Sequence, residues 1–200
     1  MTENADWFKE RINLFIMLAP AARVDRSTCQ YLHDAAVNEE LIKLMTMHGP
    51  EVFPSPNVDG HVTSALFKLT GVANFGVGML TDDAPDKISQ SGMETFMGHM
   101  PAGTSYKCLD HWRQLILTDT FRKYDNGLDK NLDVYGRSTP PIFNLQAFDN
   151  LPIAMFCGMS DKVASRLDYE WLRNELAVNK NCIYYKEYDI GHAAFLMPNE

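Results

Sequence analysis

Two short apolar runs flanking one helical stretch constrain this chain more than any other feature. Leu151-Pro-Ile-Ala-Met-Phe-Cys-Gly158 and Cys182-Ile-Tyr-Tyr-Lys-Glu-Tyr188 have the length of strands. Between them, residues 165–178 set Leu167/Trp171 and Leu172/Leu176 four apart, as a helix face requires. Strand, helix, strand is a βαβ unit, and its crossover makes the two strands parallel. The first strand is apolar throughout, the mark of burial on both faces; the second is more polar, as expected nearer a sheet edge. Ile12 to Ala19, stopped by Pro20, is a third run of the doubly buried type, although periodicity alone also fits a buried helix. The fold class expected is α/β, with a parallel sheet.

Residues 21–145 read differently. They are Met-rich, mostly helical in pattern and broken at Gly49-Pro50, Pro54-Ser-Pro56 and Pro140-Pro141, as an insertion between sheet strands would be. The expected organisation is a core strand in 1–20, a helical cap in 21–145 and a core segment in 146–200. Glu3 to Arg11 reads as a short helix end. The clearest helix in the insertion runs from Ser105 to about Thr118, with Thr104 or Ser105 as N-cap and Leu109, Trp112, Leu115 and Ile116 on one face. Asp125-Asn-Gly127 is a turn, and Leu66 to Leu80 is apolar and punctuated by Gly71, Gly76 and Gly78.

The composition excludes several classes. A net charge of −8 with no run of Lys or Arg argues against a nucleic-acid partner. The longest apolar stretch, Ile12 to Ala22, contains Asn13 and Pro20 and falls well short of the ~20 residues that span a bilayer, so no transmembrane segment is expected. The first ten residues carry acidic groups where a secretory signal carries basic ones, so no address is read from them. Cys29, Cys108, Cys157 and Cys182 lie far apart without a C-x-x-C pair; Cys157 and Cys182 stand in apolar runs, where a free thiol acts as a small buried hydrophobe. The histidines at 33, 48, 61, 99, 111 and 192 are isolated from one another and from cysteine at ligand spacing, so no metal is expected. Gly71 to Gly78 matches neither phosphate-loop pattern.

The chemistry concentrates in two loops. The strand at 151–157 leads into Gly158-Met-Ser-Asp161, and the strand at 182–188 leads into Asp189-Ile-Gly-His192. Asp161 and His192 thus both follow the C-terminal end of a parallel strand, the edge where ligands and catalytic groups collect in open α/β sheets. A carboxylate beside an imidazole holds the tautomer a general base needs and stabilises its protonated form. Spacing alone favours a plainer reading, in which Asp161 only starts the loop and His192 only fills a turn, with Asp189 a competing partner. Ser160 is no nucleophile in an elbow, and no serine in the chain lies in G-x-S-x-G.

One block carries a resemblance. His99-Met-Pro-Ala-Gly-Thr-Ser105, followed by His111-Trp-Arg-Gln114, Tyr124-Asp-Asn-Gly127, Tyr135, Pro140-Pro-Ile-Phe143 and Leu151-Pro-Ile-Ala154, closely resembles the acid lipase family, which includes gastric and lysosomal acid lipases. Lys9 to Pro20 resembles the strand after the nucleophile helix of those enzymes. The resemblance covers most of the chain and implies an α/β-hydrolase with a helical cap, triad order Ser, Asp, His, and triacylglycerol or sterol ester as substrate. It puts Asp161 on the triad aspartate, in a G-x-x-D loop, and His192 on the triad histidine, reversing the plainer reading. The family's G-H-S-Q-G elbow and His-Gly oxyanion loop would lie upstream of Met1, so the chain is expected to be the C-terminal half of a lipase.

The match has departures. The family commonly has an acidic residue two positions after the triad histidine and then an aromatic, where this chain reads His192-Ala-Ala-Phe195. The chain stops at Glu200, before the family's final helix, and the cap cysteine pair of animal members finds no counterpart. The resemblance implies secretion or lysosomal delivery for full-length members, and no cofactor. Within the cap, Met45, Met47, Phe67, Leu69, Phe75 and Met79 are expected to line an acyl-chain tunnel or, individually, to pack cap on core. The alternative is an inactive lipase homologue retaining a lipid- or protein-binding surface. A further expectation is association through an exposed edge at strand 12–19.

Overall fold

A computed structural model of the chain describes residues 2–40, 42–43, 51–52, 81, 85–99, 102–148, 151–178 and 180–197. In chain order the elements are α1 (Ala5–Lys9), β1 (Phe15–Leu18), α2 (Gln30–Val37), β2 (Glu51–Val52), α3 (Gln90–Met97), β3 (Thr104–Ser105), α4 (Tyr106–Ile116), α5 (Leu128–Tyr135), β4 (Ile153–Gly158), α6 (Arg166–Ala177) and β5 (Cys182–Tyr188).

The βαβ unit forms as its pattern predicts. β4 runs parallel to β5 on one side and to β1 on the other, giving the order β1-β4-β5. Ser165 starts the crossover helix, its hydroxyl oxygen accepting the Asp168 amide and its hydroxyl proton going to Asp168 Oδ2 at 2.9 Å. Ile153, Met155 and Cys157 of β4 meet Tyr169, Leu172 and Leu176 of α6 in the main core, all at 2% exposure or less. Each such side chain contributes roughly 1.5–3 kcal/mol, which is why this unit anchors everything attached to it. Burial pushes the Cys157 thiol up to about 12, so it packs as an uncharged hydrophobe. Cys182 is only partly buried, Cys29 is buried and Cys108 exposed; none of the four is in a disulfide.

Three expectations need correction. β1 is not buried on both faces: Phe15 and Met17 pack into the core, whereas Ile16 and Leu18 are 53% and 52% exposed. The apolar run encodes a demand for cover on both sides, and among the described residues only the α6 side supplies it. On α4, Leu115 and Ile116 are buried but Trp112 is 39% exposed. The buried stripe continues instead through Asp110, whose carboxylate takes hydrogen bonds from Arg113, Gln114 and Tyr124. On α6, Leu167 faces outward, whereas Trp171 packs partly against the core and under the Arg23 guanidinium at 4.7 Å.

The described part of 21–145 contributes α2, α3, α4 and α5, together with an antiparallel pairing of β2 and β3 that the helical pattern does not predict. Ser105 is the N-cap of α4, accepting the Cys108 amide. The Asp125-Asn-Gly127 turn forms with Gly127 at φ 88° and Asp125 Oδ1 accepting the Gly127 amide. Asn131 locks it from α5, donating to Asp125 Oδ1 and accepting the Asn126 amide. The stretch from Leu66 to Leu80 lies outside the described residues.

Candidate active site

The turn after β4 carries Asp161 and the turn after β5 carries His192, and backbone hydrogen bonds tie the two turns together. The Met159 amide donates to the Tyr188 carbonyl at 2.9 Å and the Ser160 amide to the Ile190 carbonyl at 3.2 Å. Gly158 makes this approach feasible, since a methyl carbon there would sit 2.4 Å from the Ile190 oxygen.

Asp161 is buried, and each of its oxygens has a defined task. Oδ1 accepts the Val163 and Ala164 amides, both at 2.8 Å, which fixes the carboxylate plane. Oδ2 accepts from His192 Nδ1 at 2.9 Å, with the imidazole 30% exposed and the carboxylate fully enclosed. The structure therefore brings together the two residues that the strand ends single out. Asp189, the competing partner, is 70% exposed and faces Lys87 at 3.7 Å. A carboxylate on Nδ1 leaves the neutral ring's lone pair on Nε2, the arrangement of a general base.

The base loop is backed by α3 and the residue before it. His192 opens a short 3-10 turn, Ala193–Phe195. Ala193 and Met197 pack against Met93 and Met97 of α3, and the Ser89 amide donates to the Met197 carbonyl at 2.9 Å. At the same rim, β1 is followed by Ala19, whose amide bonds the Phe156 carbonyl at 2.8 Å and whose φ of 46° is unusual for a residue with a side chain.

Other histidines are engaged locally: His33 Nε2 donates to the Ser27 carbonyl and His111 Nε2 to the Arg122 carbonyl, each at 2.9 Å. Among the described residues no three His, Cys, Asp or Glu side chains could hold a metal ion, and no helix is long and apolar enough to cross a membrane. Met45, Met47, Phe67, Leu69, Phe75 and Met79, the expected tunnel lining, lie outside the described residues. The only sequence signal for the Gly158 approach is the glycine itself, three residues before Asp161.

The chain is 31% identical over 192 residues to gastric triacylglycerol lipase of Bos taurus, covering 89% of this chain and 45% of that protein. It is 37% identical over 183 residues to gastric triacylglycerol lipase of Homo sapiens, covering 89% and 44%. Triacylglycerol lipase 2 of Arabidopsis thaliana is 26% identical over 195 residues, covering 94% and 46%. Over most of its length the chain is similar to lipases of an acid lipase-like family. It spans less than half the length of these relatives. No family model matches it. The parallel sheet and its crossover helix agree with the α/β-hydrolase fold that lipase relatives imply.

Proposed function

We propose that this chain is the acid- and base-bearing C-terminal part of a lipase-like carboxylic ester hydrolase acting on triacylglycerol or sterol esters. The observation that carries the reading is the 2.9 Å contact from His192 Nδ1 to Asp161 Oδ2, made at neighbouring strand ends in a chain similar to these lipases. In this reading His192 Nε2 takes the proton of an attacking serine hydroxyl, then returns it to the departing alcohol. Asp161 holds the ring and stabilises the imidazolium; water then repeats the cycle on the acyl-enzyme. No serine among the 200 residues lies in G-x-S-x-G, so the nucleophile and oxyanion donors come from sequence outside them. The core is residues 1–20 and 146–200, and 21–145 is the cap. Chain 1–200 alone is expected to show no His192-dependent turnover.

A second reading, an inactive homologue that binds lipid or protein, draws support from the exposed Ile16 and Leu18 of β1 and Leu14 just before it. A chimera separates the two: residues 1–200 replace the matching segment of the bovine gastric lipase, and a short-chain nitrophenyl ester reports turnover. Hydrolysis that falls by at least about a thousandfold in His192→Ala is the expected result. Hydrolysis indifferent to that substitution, or a folded chimera without hydrolysis that still binds a lipid emulsion, would overturn it.

A further inference from the structure

The acid loop is held from outside its own βαβ unit. Lys162, directly after Asp161, has both backbone groups tied to earlier segments of the chain: its amide donates to the Thr81 carbonyl at 3.1 Å, and its carbonyl accepts the Thr28 amide at 2.9 Å and the Ser27 hydroxyl at 2.7 Å. Ser27 lies 135 residues away in sequence and is 7% exposed. Its own position is fixed on three sides. Its amide donates to the Val24 carbonyl, its Oγ accepts the Cys29 amide at 3.2 Å, and its carbonyl accepts from His33 Nε2 at 2.9 Å. Arg23, four residues earlier, pairs with Asp25 at 2.8 Å and reaches the buried Asp168 of α6 at 3.4 Å, so the segment is pinned against the helix that the acid loop feeds.

From this geometry we infer that Ser27 is a positioning residue for Asp161. The two amides that orient Asp161 Oδ1 belong to Val163 and Ala164. The direction of those amides follows from the Lys162 peptide, which Ser27 clamps. Without the hydroxyl, Lys162 keeps the Thr28 amide but loses its shortest donor, the peptide gains freedom to rock, and the carboxylate swings with it. Oδ2 then spends less time on His192 Nδ1. The inference rests on the hydrolase reading for its purpose; the coupling itself is testable in chain 1–200.

The probe is the His192 Nδ1 proton, followed by NMR through its exchange with water. Asp161→Asn identifies the resonance by abolishing it. Ser27→Ala is expected to accelerate exchange about tenfold, which corresponds to about 1.4 kcal/mol, and Ser27→Thr, which keeps the hydroxyl, to restore most of the protection. Ser27→Cys, isosteric with a weak donor, gives the same acceleration and serves if the alanine variant unfolds. Ser105→Ala, which removes a remote helix cap, controls for general loosening and is expected to leave exchange unchanged. Unchanged exchange in both Ser27→Ala and Ser27→Cys, or equal acceleration in Ser105→Ala, overturns the positioning role while leaving the Asp161–His192 pair intact. A resonance that survives Asp161→Asn means that the pair is absent in solution, and overturns both this inference and the hydrolase reading.

Discussion

Gly158→Ala strikes the point where the acid and base turns approach most closely. A methyl carbon at this position would lie 2.4 Å from the Ile190 oxygen and 3.3 Å from the Gly191 oxygen, both backbone atoms that cannot rotate away as a side chain would. Reaching a tolerable 3.0 Å requires a shift of about 0.6 Å, and ordinary contact requires about 1 Å. β4 has little room to give, because it is paired on both sides and its Cys157 is fully buried. The 189–192 turn, at the end of β5, which is paired on one side only among the described residues, therefore yields. The Ser160 amide bond to Ile190, already 3.2 Å, stretches past a useful length, and His192 two residues on moves away from Asp161. Overpacking of this kind costs about 1–3 kcal/mol, and a misplacement of about 1 Å at a catalytic group costs on the order of 10²-fold in rate. Urea unfolding of chain 1–200 measures the first quantity and ester hydrolysis by the gastric-lipase chimera the second. Stability unchanged to within about 0.5 kcal/mol, together with unchanged turnover, would refute the argument that this glycine sets the distance between the two turns.

Three further outcomes follow from the packing. Glu187 accepts the Tyr169 and Tyr185 hydroxyls at 2.8 and 3.0 Å, and these bonds, Tyr169 first, hold its carboxyl below the usual carboxylate range. The unfolded chain thus binds that proton more tightly, so the contribution is fully present above the ordinary pKa of about 4.3 and fades as pH falls through the depressed one; Glu187→Gln should flatten this part of the stability–pH curve measured by urea unfolding. Asn131, 1% exposed, also donates to the Ser138 carbonyl at 3.0 Å; Asn131→Ala leaves Asp125, Asn126 and Ser138 groups short of partners and should lower the melting temperature, with a loss of about 2–3 kcal/mol. Ile16→Lys places a charge on the uncovered face of β1 and should reduce concentration-dependent association in sedimentation velocity without lowering stability, since the residue is 53% exposed.

Local pattern carried the βαβ unit because both strands and their helix are short, contiguous and bounded by turn residues. The same topology put Asp161 and His192 at one sheet edge, and the distance followed from parallel pairing. What the pattern missed is cover and distant contact. The apolar run at 12–19 carries no information on whether something packs on its second face, so the exposure of Ile16 and Leu18 is not legible in it. Trp112 sits at helical spacing from Leu115 and Ile116, yet Asp110 takes the buried stripe because three donors compensate its carboxylate. The β2–β3 pairing and the Ser27–Lys162 bond join segments far apart in sequence, and no local periodicity encodes such contacts.

The most direct test of the account is the protonation pattern of the His192 ring in chain 1–200, read from its imidazole ¹⁵N shifts at a pH where the ring is neutral. A proton on Nδ1 with an unprotonated, acceptor-type Nε2, shifting toward the other tautomer in Asp161→Asn, is the expected result. A proton on Nε2 in the unsubstituted chain, or a pattern indifferent to Asp161, would contradict it.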